Sequence, residues 1–289
     1  MSADQAGRTF VITGANSGIG LAAARQLAAR GAHIVLAVRS TEKGEQAAAT
    51  IDGSTEVRPL DLADLASVRA FAAGWDGQLD VLINNAGIMA VPKSTTKDGF
   101  ESQIGTNHLG HFALTNLLLE HITDRVVTVS SGAHNFGSVN LDDLNFEHRR
   151  YERWRAYGQT KLANLLFTSE LQRRLIDAGS DVLALAAHPG YASTNLQSHT
   201  GSFLQNALMV VANKVIAQSE DAGALPTVYA ATEDLPGNTY IGPDGFMEQR
   251  GKPKIVGRSK AAYDDAKARG LWELSEELTG VNFPLGVAV

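Results

Sequence analysis

The chain has 289 residues, of which 44% are hydrophobic and 19% charged, an ordinary composition for a globular protein with a large core. Its formal net charge of -6 argues against a general nucleic-acid binder, which needs a basic surface to displace counterions from phosphates. It contains no cysteine, which excludes disulfides, thiolate nucleophiles and cysteine metal ligands. We therefore expect no nucleic-acid partner and no metal site built on cysteine.

The composition also bears on the compartment. The N-terminal segment MSADQAGRTF lacks the basic start and the apolar run of a signal peptide. No apolar run in the sequence is long enough to span a bilayer. The missing cysteines suit a reducing compartment. These features predict a cytoplasmic protein without an integral membrane segment.

Strand-like and helix-like segments alternate along the chain. Runs rich in β-branched residues predict strands over residues 8–14, 33–38, 55–60, 79–85, 124–131 and 181–188. The segments between them predict helices over residues 19–30, 41–51, 64–73, 99–120 and 157–178. Because the strands are continuously apolar, we expect one parallel sheet with right-handed crossovers and helices on both faces.

No internal repeat or linker interrupts this alternation. We therefore predict a single α/β domain over residues 1–289, with a core over about residues 8–241. The remaining residues, about 242–289, are predicted to form an irregular C-terminal extension.

The first predicted strand runs into TGANSGIG, residues 13–20, which also opens the first helix. Gly14 permits a tight turn there, and Gly18 and Gly20 allow the backbone to approach a pyrophosphate. The N-terminus of the helix attracts such an anion through its free N–H groups and its dipole. The spacing G-x3-G-x-G differs from the commonest dinucleotide fingerprint, so a glycine-rich turn without a ligand is the alternative.

The second predicted strand ends in AVRS, at the position that distinguishes the two nicotinamide dinucleotides. An acidic side chain there bonds the ribose 2′-OH of NAD, whereas an arginine accepts the 2′-phosphate of NADP. Arg39 is present, and no acid occupies Ala37, Val38 or Ser40. This pattern favours NADP(H) over NAD(H), and the alternative is a surface arginine without a ligand.

Two tyrosine–lysine pairs share a spacing of four, Tyr157 with Lys161 and Tyr263 with Lys267. Residues four apart lie on one face of a helix. A cation in that place is expected to favour tyrosinate and to lower the pKa of the phenol from about 10, which suits proton exchange near neutral pH. The two aspartates within YDDAK would neutralise Lys267, so we assign the second pair to a surface helix.

A serine and three histidines complete the candidates. Ser131 ends the fifth predicted strand, where ligands bind in open α/β sheets and where its hydroxyl can stabilise charge on a substrate oxygen. A hydrolase triad with His134 is disfavoured, because the serine lacks the G-x-S-x-G elbow. His108 and His111 are three apart like half of a metal site. No third ligand stands at a companion spacing, so we interpret both as core or capping histidines.

The motifs occur together in an order that resembles a known family. TGANSGIG, NNAG at residues 84–87, Ser131, YGQTK and HPG at residues 188–190 resemble the short-chain dehydrogenases/reductases. GTNHLGHFALTNLLL, VTVSSGAH, KLANLLFTSEL and the wide spacing from Ser131 to Tyr157 resemble the retinol dehydrogenase-like and WW-domain oxidoreductase-like branch. The resemblance implies a Rossmann-type doubly wound sheet of about seven strands.

The resemblance also implies a set of site residues. The catalytic set would be Asn107, Ser131, Tyr157 and Lys161, with Asn107 holding a water linked to Lys161. The cofactor contacts, including those of the glycine loop and Arg39, would be Gly14, Asn16, Ser17, Gly18, Ile19, Gly20, Arg39, Asp61, Leu62, Asn85, Ala86, Gly87, Tyr157, Lys161, Pro189, Gly190 and Thr194. The substrate pocket would be lined by His134, Phe136, Tyr191 and Phe203. Residues 191–219 would form a lid over the substrate, or a helix packed on the domain or at a dimer face.

The sequence therefore predicts an NADP-dependent oxidoreductase that interconverts an apolar alcohol and its aldehyde or ketone, with Tyr157 as general acid and base. A cofactor-binding regulatory or scaffold protein of the same fold is the alternative. A third and less favoured alternative is an epimerase or dehydratase on the same fold. The complete set of four catalytic residues argues against a pure binding module, and the family resemblance implies a homo-oligomer.

Overall fold

The computed structural model describes residues 4–190 and 219–286 of the chain. Within these ranges eight strands form a single sheet in the order β3-β2-β1-β4-β5-β6-β7-β8. They are β1 Thr9–Thr13, β2 His33–Val38, β3 Thr55–Pro59, β4 Leu79–Asn84, β5 Ile122–Val129, β6 Leu183–Ala187, β7 Tyr240–Pro243 and β8 Pro253–Ile255. Strands β1 to β7 pair in parallel, and β8 pairs antiparallel with β7.

Helices connect the strands and cover both faces of the sheet. They are α1 Gly18–Ala28, α2 Thr41–Ala48, α3 Leu65–Ala73, α4 Ser102–Ile104, α5 Gly110–Leu118, α6 Arg153–Asp177, α7 Glu220–Thr232 and α8 Asp265–Thr279. A π-helical turn, Gly105–Leu109, joins α4 to α5. The predicted parallel sheet with helices on both faces is confirmed.

The expected number of strands, about seven, is wrong, because β8 adds an eighth. Ile255 of β8 pairs with Ile241 of β7 in antiparallel register. The strand has only three residues and begins with Pro253. Such a segment carries little pattern of its own, and proline is accepted there because β8 lies at the edge of the sheet.

The C-terminal residues are also more regular than the sequence analysis predicts. Helix α8 packs on α6, and its Trp272 is 1% exposed. The indole stacks on Phe167 at 5.7 Å between ring centroids and meets Phe112 edge-on at 4.9 Å. The segment after β7 therefore completes the hydrophobic core on this face of the sheet.

The order of the sheet determines where the polar residues meet. Strand β1 lies between β2 and β4, so the chain winds in opposite directions on either side of it. Ligands bind in such sheets at the carboxyl ends of the strands beside this switch point. Thr13, Asn84 and Val129 end β1, β4 and β5 at that edge. No helix of residues 4–190 or 219–286 has the length and apolar character to cross a membrane.

Trp272→Ala should destabilise the fold by about 3–5 kcal/mol, because it leaves a cavity against two aromatic rings. Ile176→Ala is a matched control, since Ile176 is 66% exposed on α6. It should change the free energy of unfolding by less than about 0.5 kcal/mol. Urea unfolding measures both values, and equal midpoints for the two variants would contradict a core role for α8.

Candidate active site

The glycine loop between β1 and α1 brings bare backbone to the edge of the sheet. Gly14 and Gly18 adopt positive φ angles of 67° and 58°, which favour glycine. A Cβ on Gly20 would lie 2.5 Å from Asn85 Nδ2, so only glycine fits there. Ser17 precedes α1 without a side-chain cap bond, and no acid lies in the first turn. The first N–H groups of α1 are thus open to an anion, which fits a pyrophosphate.

Thr13 connects this loop to the next strand. Its Oγ1 accepts hydrogen bonds from the backbone N–H groups of Asn85 and Ala86, both at 2.9 Å. His111 Nε2 lies 2.9 Å from the same oxygen, and His111 Nδ1 donates to the carbonyl of Asn107 at 3.1 Å. Nε2 is therefore the acceptor of the Thr13 hydroxyl. Burial lowers the pKa of His111 to about 4, which keeps the ring neutral. Sequence reasoning missed this link, because Thr13 and His111 are far apart in the chain.

Asn107 lies in the π-helical turn and is fully buried. Its Nδ2 donates to the carbonyl of Ile88 at 2.9 Å and to Thr160 Oγ1 at 3.0 Å, and its Oδ1 accepts from Ile88 N at 2.8 Å. The sequence predicts one continuous helix over residues 99–120, but the structure contains this π-helical turn between α4 and α5. Such turns are frequent at functional sites. A Cβ on Gly87 would lie 3.2 Å from Asn107 Oδ1 and 3.7 Å from Lys161 Nζ, so glycine leaves space beside both groups.

Tyr157 and Lys161 lie one turn apart on α6, as their spacing predicts. Lys161 Nζ lies 5.6 Å from the centroid of the Tyr157 ring. It donates to the carbonyl of Val129, the last residue of β5, at 3.1 Å. The two residues are 8% and 4% exposed. The pair is therefore buried at the carboxyl end of β5.

Burial determines the protonation of this pair. It raises the pKa of Tyr157 to about 12, while the nearby Ser131 hydroxyl acts in the opposite direction. Burial also lowers the pKa of Lys161 to about 8. The sequence-based expectation that Lys161 lowers the pKa of Tyr157 is wrong for the protein alone. The pKa is raised because the loss of water around the phenolate outweighs the effect of the neighbouring cation. In the protein alone, Tyr157 thus keeps its proton near neutral pH.

Ser131 begins the 3-10 turn Gly132–Phe136, and its Oγ accepts from Ala133 N at 3.2 Å. The carbonyl of Ser131 accepts from His134 Nδ1 at 2.7 Å, and His134 Nε2 accepts from the backbone N–H of Ser259 at 3.0 Å. His134 is 2% exposed and both its nitrogens have backbone partners. The structure thus places it inside the wall, where it fixes the turn to the C-terminal segment, rather than on the surface of a substrate pocket.

Phe136, the other described residue of the predicted pocket, lies on the same turn. Its ring packs against α6, where a Cβ on Gly158 would lie 3.0 Å from its Cδ2. It remains 57% exposed. Gly158, which the ring contacts, directly follows Tyr157 on α6.

His188 of the HPG motif is held on both sides. Its Nδ1 accepts from Gly190 N at 3.3 Å, and its Nε2 donates to Glu248 Oε2 at 3.0 Å. Burial lowers the pKa of His188 to about 4, so the ring is neutral near neutral pH. A Cβ on Gly242 would overlap the His188 ring. The C-terminal segment thus fixes the loop that follows β6, a contact that no local pattern indicates.

The remaining predicted cofactor contacts lie at the same edge of the sheet. Arg39 follows β2 and is exposed. Asp61 and Leu62 follow β3; Asp61 Oδ1 accepts from Ala63 N at 3.0 Å, and Leu62 is 6% exposed. Asn16, Ser17 and Ile19 lie between the loop glycines, and Pro189 precedes Gly190. Thr194, Tyr191, Phe203 and most of the predicted lid lie outside the described residues.

The second tyrosine–lysine pair does not share a helix face. Tyr263 ends a 3-10 turn and is 63% exposed, whereas Lys267 lies in α8. Asp264 caps α8 between them, with Oδ1 accepting from Lys267 N at 2.9 Å. The surface location is confirmed, but the expected single helix is wrong, because the capping aspartate begins a new element.

The two candidate metal histidines belong to the core. His108 Nε2 lies 3.0 Å from Ser275 Oγ of α8, and His111 is bound to Thr13. No group of three or more potential metal ligands occurs in the part of the chain that the structure describes.

Residues 8–204 match the model of the short chain dehydrogenase family. The chain belongs to this family. It is 42% identical to retinol dehydrogenase 13 of Homo sapiens over 297 residues, covering 96% of this chain and 86% of that protein. It is also 42% identical to retinol dehydrogenase 12 of Homo sapiens over 289 residues, covering 96% and 88%. These similarities place the chain in the retinol dehydrogenase-like branch of the oxidoreductase family.

Solved structures show the same fold. An uncharacterized protein from Mycobacterium paratuberculosis has 58% sequence identity and a TM-score of 0.86, covering 98% of this chain and 97% of that chain. A candidate NAD(P)-dependent gluconate 5-dehydrogenase from Beutenbergia cavernae, with bound NADP, has 27% identity and a TM-score of 0.59, covering 78% and 90%.

The buried lysine predicts a specific pH dependence of stability. Between pH 8 and 10 the unfolded chain holds more protons on Lys161 than the folded one, since its folded pKa is about 8 and its ordinary value 10.5. Raising the pH through this window therefore favours the folded state. Relative to Lys161→Met, the wild type should gain up to about 3 kcal/mol of unfolding free energy over the window.

Urea unfolding at several pH values measures this difference. Lys43→Met, at an exposed position on α2, is the matched control and should follow the wild-type curve. Parallel pH curves for wild type and Lys161→Met would contradict the lowered pKa.

Proposed function

We propose that the protein is an NADP(H)-dependent oxidoreductase that interconverts an apolar alcohol and its aldehyde or ketone. The observation that carries the proposal is the buried Tyr157–Lys161 pair at the carboxyl end of β5, with Ser131 close enough to the phenol to lower its pKa. The glycine loop fit for a dinucleotide lies at the same edge of the sheet. Proton donor and cofactor site are therefore close to each other.

The residues around the site fit a nicotinamide dinucleotide. The backbone of Gly14, Gly18 and Gly20 and the N-terminus of α1 would hold the pyrophosphate. Arg39 would bind the 2′-phosphate, as a guanidinium suits a phosphate. The other contacts would come from Asn16, Ser17 and Ile19 in the loop, Asp61 and Leu62 at the adenine, Asn85, Ala86 and Gly87 at the ribose, and Pro189, Gly190 and Thr194 at the nicotinamide. When bound, the dinucleotide supplies or accepts a hydride.

The protein side chains would handle the proton. Tyr157 gives its proton to the carbonyl oxygen during reduction and takes one from the alcohol during oxidation. Ser131 donates a hydrogen bond to the same oxygen as negative charge develops. The Lys161 ammonium stabilises the phenolate that remains, and it would also bind a ribose hydroxyl of the dinucleotide. Asn107 fixes the loop beside Lys161 and supports the proton path.

The names of the relatives support the substrate class. Retinol dehydrogenases 12 and 13 act, by name, on an alcohol with a large apolar body. The exposed ring of Phe136 offers an apolar surface beside the catalytic turn. We therefore infer that the substrate carries an apolar body next to the reacting carbon.

Tyr157→Phe should lower kcat for NADPH-dependent reduction of apolar aldehydes by at least about 100-fold, because it removes the proton donor. Tyr263→Phe is the matched control, since it removes the hydroxyl of the second pair and should retain wild-type turnover. A panel of apolar aldehydes and ketones, followed by NADPH consumption, measures both variants. Wild-type turnover in Tyr157→Phe would assign the proton to another donor.

Arg39→Gln should lower the ratio of kcat/KM with NADPH to kcat/KM with NADH at least about tenfold, because it removes a charged hydrogen-bond donor to the 2′-phosphate. Lys43→Gln removes a nearby exposed charge from α2 and should keep the wild-type ratio. If Arg39→Gln also keeps that ratio, Arg39 does not select the cofactor.

A further inference from the structure

A cavity of about 380 Å³ lies between the turn after Ser131 and the C-terminal segment. It is lined by Asn135, Met247, Glu248, Gly257 and Arg258. Asn135 belongs to the turn that Ser131 begins, and Glu248 is bound to His188 of the loop after β6. The cavity thus borders the turn that Ser131 begins, and Glu248 connects its wall to the loop after β6.

Arg258 is the cation of this cavity. Its guanidinium donates to Asn238 Oδ1 at 2.7 Å and also to the carbonyl of Asn238. It lies 5.8 Å from the centroid of the Tyr240 ring. A guanidinium has five N–H donors. Among the described residues, the hydrogen-bond partners of Arg258 therefore use only some of these five donors. Both partner atoms belong to Asn238 and are neutral.

No acidic side chain pairs with Arg258. In residues 4–190 and 219–286, none of the ion pairs within 4.0 Å includes it. The segments outside those ranges, residues 1–3, 191–218 and 287–289, contain no Asp or Glu. Glu248, the acid of the cavity wall, accepts instead from His188 Nε2 at 3.0 Å. Among the described residues no carboxylate therefore lies within 4.0 Å of this guanidinium, and Glu248, on the same cavity wall, is hydrogen-bonded to His188 instead.

A partly buried cation without a directly paired carboxylate is costly, and an anion that enters the cavity and binds the guanidinium would offset that cost. Burial lowers the pKa of Arg258 from its usual range, which reflects the loss of water around the guanidinium. The fork of a guanidinium matches the two oxygens of a carboxylate. A substrate whose carbonyl lies at Ser131 and whose other end reaches this cavity would therefore bind most tightly if that other end carried a carboxylate.

We propose that the cavity at Arg258 binds a carboxylate of the substrate, so that the preferred substrate is an apolar aldehyde or ketone with a carboxylate remote from the carbonyl. This inference rests on the proposed oxidoreductase function. Asn135 lies four residues beyond Ser131 along a 3-10 turn, which corresponds to roughly 8 Å at about 2 Å per residue. The carboxylate is therefore separated from the carbonyl by a chain of several methylene groups.

The test compares unbranched ω-carboxy aldehydes of graded chain length with their methyl esters, using NADPH and the wild-type protein. The acid should exceed its ester in kcat/KM by at least about tenfold at the best length, which corresponds to about 1.4 kcal/mol. High ionic strength should reduce this ratio, because salt screens the attraction. This comparison uses only the wild-type protein, so its result does not depend on whether a variant folds.

Arg258→Gln should bring the ratio of acid to ester close to one, and Arg258→Lys should retain part of it through its charge. Lys260→Gln, an exposed cation two residues further along, is the matched control and should keep the wild-type ratio. Equal use of acid and ester by the wild type would overturn the inference and leave the oxidoreductase function intact. No turnover of any aldehyde or ester would overturn the proposed function, and the inference with it.

Discussion

The ammonium of Lys161 is buried with one described protein hydrogen bond, to the carbonyl that ends β5, and the rest of the site is built around it. Burial penalises the charge, so the group needs further acceptors close by. Gly87 has no side chain and so leaves space beside Lys161 Nζ. Asn107 holds the loop that contains Gly87 through its hydrogen bond with Ile88 N. The same burial raises the pKa of Tyr157, which makes the phenol a proton donor in the protein alone. A cation beside this phenol then stabilises the phenolate that proton transfer leaves.

Neutral buried histidines hold the loops that surround this pair. His111 joins Thr13 of β1 to the π-helical turn that carries Asn107. His134 joins the Ser131 turn to Ser259, and His188 joins the HPG loop to Glu248. In each case one ring nitrogen donates and the other accepts, which only the neutral ring can do. The C-terminal segment thereby becomes part of the wall of the site, on the side where the unpaired Arg258 lies.

Local pattern was enough to predict the glycine loop, the parallel sheet and the tyrosine–lysine pair on α6, because each depends on residues close in sequence. The pattern was not enough for features that depend on distant contacts. The pKa of Tyr157 follows from burial by the whole fold, and the role of His134 follows from a bond to Ser259 in the C-terminal segment. Strand β8 is too short to show alternation, and the isolated Trp272 reveals its core role only once α8 is packed on α6.

We propose that this edge of the sheet holds NADP(H) for hydride exchange with a carbonyl carbon, with the proton from Tyr157. The most direct measurement follows deuterium from NADPH labelled at both C4 positions into the alcohol product of an apolar aldehyde, by mass spectrometry. The account predicts one deuterium on the carbinol carbon for each NADPH consumed. Product without the label, or cofactor oxidised without alcohol formed, would contradict it.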